Sequence, residues 1–371
     1  MSNNKLHIHA NCMTTAMGIM PHTNVETALK LAMSLDIPYW PQLPNVSYYE
    51  DMYAQTSEHF PGISINTEEA KIRFNTRAFA GEIDSYSRKM AMSDTFSLSQ
   101  EYSRVYHRFL DKDLSAYPAI RGQVTGPVSF GFRVTDENSR PLIYNKEARA
   151  LLFDFIQRKV TTQYHELKKK NENAFVWVDE PGLGWVFSGL SGYNDLQAKE
   201  DYRLFWEGLD GPGGLHLCAN INLSYLLEMG ADILSFDAYQ IELLPKGYAS
   251  AVADYLIKGG IISWGIVPTD SDNLSQHTPE TLEKLILGYW KSVSDNAGIP
   301  VHKIAEQSLL APARCCLKNI GKVGASTDTS GAGTEQTGSS PLEEQLVEQA
   351  FVYLKSLSDA LRNRFSLESG R

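Results

Sequence analysis

Gly213-Gly214-Leu215-His216-Leu217-Cys218-Ala219-Asn220 is the stretch from which the fold is worked outward. Its leucines and leading glycines read as a short buried strand. His216 and Cys218 stand two apart, so their side chains leave the strand on the same side. An imidazole and a thiolate presented together suit a first-row divalent ion, with zinc foremost. Two ligands do not complete a site. Other segments must deliver more to the same end of this strand.

The flanking sequence is built to do so. Upstream, Phe175-Val176-Trp177-Val178 is an apolar run ending in Asp179-Glu180-Pro181. Downstream, Ile233-Leu234-Ser235-Phe236 runs into Asp237. Residues 261–266 and 304–310 read as further strands, the last leading to Cys315-Cys316. Helical patterns fall between them at 223–229, 249–257 and 279–293, with a long helix at 146–170 whose basic end suits a helix C-terminus. Toward the N-terminus, strands are expected at 6–10, 36–40 and 119–124. A helix to about residue 35 opens on a Thr23/Glu26 capping box.

Eight strands alternating with helices predict an α/β fold, a single (β/α)8 TIM barrel over residues 1–371. A doubly wound sheet is the alternative, but no GxGxxG follows the first strand. Residues 44–117 are a long aromatic excursion after strand two, expected to be a helical insertion or lid over the barrel mouth. The low-complexity run at 324–340, GASTDTSGAGTEQTGSS, is expected to be a flexible loop. Residues 343–365 carry the pattern of a closing C-terminal helix.

Composition narrows the function classes. At 371 residues the chain suits one large barrel, and an apolar fraction of 43% supports a sizeable core. A formal charge of −10 argues against a nucleic-acid footprint or a polybasic membrane contact. No apolar run reaches the roughly 20 residues of a membrane helix, and the N-terminus lacks the apolar core of a secretion signal. Four cysteines are too few for a disulfide framework, so reduced thiols and a cytoplasmic location are expected.

In a barrel of this kind the C-terminal ends of the strands gather around one mouth. His216, Cys218, Asp237, Cys315-Cys316 and Asp179-Glu180 all sit at such ends. Each also has a structural reading. His-x-Cys suits a satisfied histidine beside a buried thiol, Asp237 suits a cap, and Asp179-Glu180-Pro181 suits a loop start. Adjacent side chains diverge, so at most one of Cys315 and Cys316 serves as a ligand. His7, His9 and Cys12 are a weaker candidate for a second site.

The chain resembles the superfamily joining uroporphyrinogen decarboxylase, cobalamin-independent methionine synthase and the corrinoid-linked zinc methyltransferases. The resemblance runs nearly end to end, through residues 14–23 (TTAMGIMPHT), 123–128 (QVTGPV), 178–181 (VDEP), 215–218 (LHLC), 231–237 (ADILSFD) and 315–318 (CCLK). It implies a methionine-synthase-like zinc centre held by His216, Cys218, Asp237 and Cys315, the carboxylate one methylene shorter than the family's glutamate. It further implies that Asp179 holds the acceptor, with Glu180 beside it as a catalytic residue. Gly18, Ile19, Gln42 and Gly126 would shape the substrate pocket.

The chain departs from the pattern in three places. Ile19 stands where a serine touches the amino acid, Gln42 replaces a glutamate, and no histidine occurs in 265–270. Homocysteine loses specific contacts, whereas a small-molecule thiol acceptor does not. The chain matches only the catalytic half of the folate-using enzyme, which points to a methylated corrinoid as donor before methyl-folate, with a corrinoid protein as partner. Two other readings compete with a methyltransferase. One is a metal-free, uroporphyrinogen-decarboxylase-like lyase, for which the arginine-rich first loop is missing after Met13. The other is a non-catalytic partner of a corrinoid protein.

Overall fold

Six apolar runs that alternate with helices become the parallel strands of one curled sheet. The computed structural model describes residues 8–90, 93–188, 192–218, 222–240, 246–316 and 341–368. Its strands are β1 (Met13–Thr14), β2 (Ile63–Asn66), β3 (Lys71–Phe74), β4 (Ile120–Thr125), β5 (Ala174–Asp179), β6 (Gly213–Leu217), β7 (Ile233–Asp237), β8 (Ile261–Val267) and β9 (Ser308–Pro312). Seven of them form one sheet in the order β1-β9-β8-β7-β6-β5-β4, every pair parallel. Strands β4 to β9 are buried along their whole length. They are covered on both faces, which is why they read as continuous apolar runs and not as alternating ones.

The expected closed barrel of eight strands is corrected to this seven-stranded curl. The second strand, expected at 36–40, does not form. Residues 37–42 instead span the gap between the edge strands by scattered contacts. Ile37 N–H donates to Thr14 O at 3.0 Å, and Pro38 O accepts from Arg121 N–H at 3.1 Å. Isolated bridges pair Tyr39 with Arg121 and Ile19 with Gln42. Pro38 and Pro41 have no N–H to give a ladder, so the segment is extended without being a strand.

Three other expectations shift. The first described strand lies at Met13–Thr14, and residues 6 and 7 of the strand expected at 6–10 lie outside the described residues. Residues 8–10 carry no strand, and the chain turns at Asn11 and Cys12, both with positive φ. Residues 304–306, expected to begin the last strand at 304–310, instead end the helix Val301–Glu306, whose Ile304 and Ala305 are buried. Asn24, not Thr23, caps the helix Val25–Ala32, accepting from Thr27 N–H at 3.0 Å. Thr23 N–H instead donates to Glu344 on the C-terminal helix at 3.1 Å.

The excursion at 44–117 holds the helices Met52–Ser57, Thr76–Lys89 and Arg104–Leu110. It also holds the antiparallel hairpin β2–β3, which the sequence reading lacks. Phe60 and Phe96 of this region stack edge-on or tilted against Phe155 of the long helix Lys146–Lys168, so the excursion shares the main core. The low-complexity run at 324–340 lies outside the described residues. The helix Pro341–Phe365 closes the fold beneath β1, where Ser358 Oγ donates to Cys12 O at 2.7 Å. No described helix is long and apolar enough to cross a membrane.

Candidate metal and acceptor site

Within the curl, Met13, Phe175, Trp177, Ile233, Ile261 and Leu309 belong to a small apolar cluster separate from the main core. Strand register then sets a polar row. Thr125 pairs with Asp179, Asp179 with His216, His216 with Ser235, and Ser235 with Ser263. All five are at least nine-tenths buried. Because the strands are parallel, their C-terminal ends open on one rim, and the row lies just inside it.

His216 is held from three directions. Its Nδ1 lies 3.0 Å from Ser235 Oγ and its Nε2 lies 2.8 Å from Cys218 Sγ. Its ring stacks on Trp177 at 5.5 Å and 12°. Burial lowers its pKa to about 3, with the nearby Arg121 charge acting in the same direction, so the imidazole is neutral. Cys218 is in turn in hydrogen-bond contact with Cys315. That contact, followed by burial, pushes its thiol well above the usual range.

The imidazole and both thiols expected as ligands therefore meet. Cys316 takes a different course, packing against the main core, where burial raises its thiol. Cys12 is likewise a core thiol, raised to about 12 by burial and donating to Ala305 O at 3.5 Å. None of the four cysteines is in a disulfide.

The fourth expected ligand is engaged elsewhere. Asp237 accepts from Arg314 Nε at 2.8 Å and from Gln240 N–H at 3.2 Å. Among the described residues, no three His, Cys, Asp or Glu side chains take up metal-ligand spacing. The imidazole and thiol are at hydrogen-bond distance, shorter than the roughly 3.5 Å that separates two ligands on a tetrahedral zinc. As a donor set the residues suit zinc: a neutral imidazole and two sulfurs, with the Asp237 carboxylate paired to Arg314, the sequence neighbour of Cys315.

Asp179 and Glu180 diverge although they are adjacent. Glu180 is fully buried and accepts from Val128 N–H at 2.9 Å, Ser129 N–H at 2.7 Å, Ser129 Oγ at 2.5 Å, and the Tyr202 hydroxyl. It ties the end of β5 to the start of the helix Pro127–Arg133 and to the helix Asp195–Glu207. A Cβ on Gly126 would run into this carboxyl, which is why glycine stands there. Asp179 has no such cradle. It is 8% exposed, its carboxyl accepts no hydrogen bond among the described residues, and it sits where its charge acts on Cys218. Burial lifts it to about 7, with Arg121 opposing the rise and Glu180 adding to it. A buried carboxyl without a donor suits a cationic group of a ligand.

Burial also lifts Glu180, from an ordinary 4.5 to about 7, its four donors holding it from rising further. The unfolded chain releases this proton near pH 4.5 while the native state keeps it to about pH 7. The stability is fully present below the lower value, falls as pH rises between the two, and levels off above the higher. The change expected from Glu180 is roughly 3 kcal/mol. Denaturant midpoints measured from pH 4 to 8 check it, and Glu180→Gln should flatten that part of the slope.

The residues expected to shape the pocket form two groups. Gln42 N–H donates to Gly18 O at 2.7 Å, and Ile19 bridges Gln42, so Gly18, Ile19 and Gln42 lie together. Gly126 N–H donates to Asp179 O at 2.8 Å and belongs with the acidic pair. Arg121 and Gln123 of β4 link the groups. Gln123 donates to Trp40 O at 2.7 Å and accepts from Arg121 at 2.9 Å.

Four side chains near the site escaped the sequence reading: Arg121, Trp177, Ser235 and His277. The first three carry no motif, and only strand register reveals them. His277 lies beyond the 265–270 loop, where the resemblance places a histidine. The short helix Ser271–Ser275 carries the chain back so that its Nε2 lies 2.9 Å from the Tyr239 hydroxyl, two residues past Asp237.

No protein-family model matches the sequence, and no curated protein matches it. Among solved structures, the chain is similar to a B12-independent methionine synthase from a Shewanella species in complex with selenomethionine. The identity is 13% over 67% of this chain and 64% of that one, with a TM-score of 0.41. It is also similar to a methyltransferase from Methanosarcina mazei, with 14% identity, coverage of 93% and 87%, and a TM-score of 0.48. A putative vitamin-B12-independent methionine synthase from Listeria monocytogenes gives 11% identity, coverage of 96% and 99%, and a TM-score of 0.45. The chain spans less than two thirds of the Shewanella protein's length. Likenesses of this strength assign no chemistry.

Proposed function

We propose that the chain is a zinc-dependent methyltransferase that moves a methyl group from a methylated corrinoid, or from methyl-folate, to a small-molecule thiol. The observation that carries this reading is the meeting of His216, Cys218 and Cys315 at the rim of the parallel strands, beside the Asp179 carboxyl, which accepts no hydrogen bond among the described residues. His216, Cys218 and Cys315 would hold the ion, and Asp237 would join them on leaving Arg314. When bound, zinc supplies the deprotonation of a substrate thiol at neutral pH, where a free thiol of pKa about 8.5 is mostly protonated.

The protein's own groups do the rest. Asp179 receives a cationic group of the acceptor, such as an amine, and fixes its sulfur near Cys218. Glu180 keeps the Asp179 loop in place through its four donors. Arg314 neutralises Asp237 until that carboxylate is needed. The acceptor sulfur forms the new bond to the methyl carbon with its own lone pair, the donor–methyl bond breaks with its pair left on the donor, and the thiol proton leaves to solvent.

The test is metal analysis of the purified protein, followed by assay with methylcobalamin and a panel of thiols with and without an amino group. Methyl transfer that tracks zinc content is expected. Activity in metal-free protein would overturn the reading, as would zinc binding without turnover on any donor and thiol. Asp179→Asn should raise KM for amine-bearing thiols by roughly 10- to 100-fold and leave amine-free thiols nearly unchanged.

A further inference from the structure

We propose that Trp177, backed by the Arg121 guanidinium, is a positioning residue that sets the plane of the His216 imidazole, with Ser235 fixing which nitrogen faces Cys218. The inference rests on the metal reading above and adds residues that supply no ligand to it. Four flat groups follow one another in contact. The Arg121 Cζ lies over the Tyr39 ring, 4.6 Å from its centroid, and over the Trp177 ring, 4.0 Å from its centroid. Trp177 then stacks on His216. Tyr39, Arg121 and Trp177 are 0% exposed and His216 is 3% exposed.

A free imidazole has a broad, roughly two-fold torsion about its ring bond. Stacking removes the tilt, and the hydrogen bond to Ser235 at 3.0 Å removes the flip. Together they leave Nε2 facing the Cys218 sulfur at 2.8 Å. A ligand imidazole held this way already presents the nitrogen that would bind a metal.

Two further observations argue that the indole face is what this position uses. Trp177 Nε1 has no hydrogen-bond partner among the described residues, so the ring is held by its faces and not by its polar edge. The register partner of Trp177 is Gly214, where a Cβ would run into the indole Cδ1. The missing side chain gives the ring room to pass along β6 and reach His216, two residues further on.

The test compares Trp177→Leu, Trp177→Phe and Ser235→Ala with the unmodified chain, using zinc competition against a chromophoric chelator and ¹⁵N-histidine spectra of the metal-free proteins. Trp177→Leu and Ser235→Ala should each weaken zinc binding by roughly 10- to 100-fold, while Trp177→Phe, which keeps a stacking ring, should recover most of the loss. In the metal-free spectra His216 should be a single Nδ1–H tautomer in the unmodified chain and a mixture in Trp177→Leu and Ser235→Ala. If Trp177→Leu fails to fold, Ser235→Ala decides. Folded variants that bind zinc within roughly twofold of the unmodified chain overturn the positioning role and leave the metal reading standing. An unmodified chain that binds no zinc overturns the metal reading, and its spectra then decide the positioning role. A single tautomer lost in the variants supports it, and a mixture already present overturns it.

Discussion

Cys315→Ser is expected to leave the chain folded and to reduce its zinc content from about one ion per molecule to almost none. The Cys315 thiol is the group that meets Cys218, and a serine hydroxyl there is neither soft nor easily ionised. In the proposed zinc centre the loss of this thiol would leave His216, Cys218 and the Arg314-paired Asp237, too weak a set to hold zinc against a chelator. Cys218→Ser should do the same, since Cys218 is the sulfur that touches both partners. Cys316→Ser is the control. That side chain packs on the main core, so its loss should cost some stability and no metal. Metal analysis after dialysis against a chelator reads all three. Equal zinc retention in Cys315→Ser and the unmodified chain would remove the late cysteine from the site.

Asp36→Ala should destabilise the fold by about 3–5 kcal/mol, the cost of leaving a buried charge unpaired. Asp36 accepts from Thr14 N–H at 2.9 Å, Thr14 Oγ1 at 2.8 Å and Arg362 at 3.0 Å. Arg362 comes from the closing helix and also donates to Asn11 O at 3.0 Å. Asp36 and Arg362 are each about nine-tenths buried. The substitution strips the β1 edge of its side-chain acceptor and strands a guanidinium beneath it. Urea unfolding should show a lowered midpoint with little change in slope. Loss of less than about 1 kcal/mol would mean that the helix is held by its apolar face alone.

Much of the architecture was legible. The runs at β4 to β8 announce themselves because both faces are buried, and the helix patterns between them dictate parallel order. The segment at 37–42 shows the limit. Its composition is that of a strand, yet whether Pro38 and Pro41 can be tolerated depends on which neighbours require an N–H. The hairpin β2–β3 was hidden because its exposed alternation is weak and sits in a helical context. At the site, motifs located His216, Cys218, Cys315 and Asp179. No motif told Glu180 from Asp179, since the four donors that saturate Glu180 come from Val128, Ser129 and Tyr202, up to 52 residues away.

By itself, then, the sequence determined which reactive side chains stand at the C-terminal ends of strands, because strand period and parallel order follow from local apolar patterning. Tertiary structure alone decided what each of those side chains touches. A buried polar group takes whatever donor or acceptor the fold brings within about 3 Å. Those partners (Arg314 for Asp237, Ser235 and Trp177 for His216) come from strands and loops that meet only when the sheet curls.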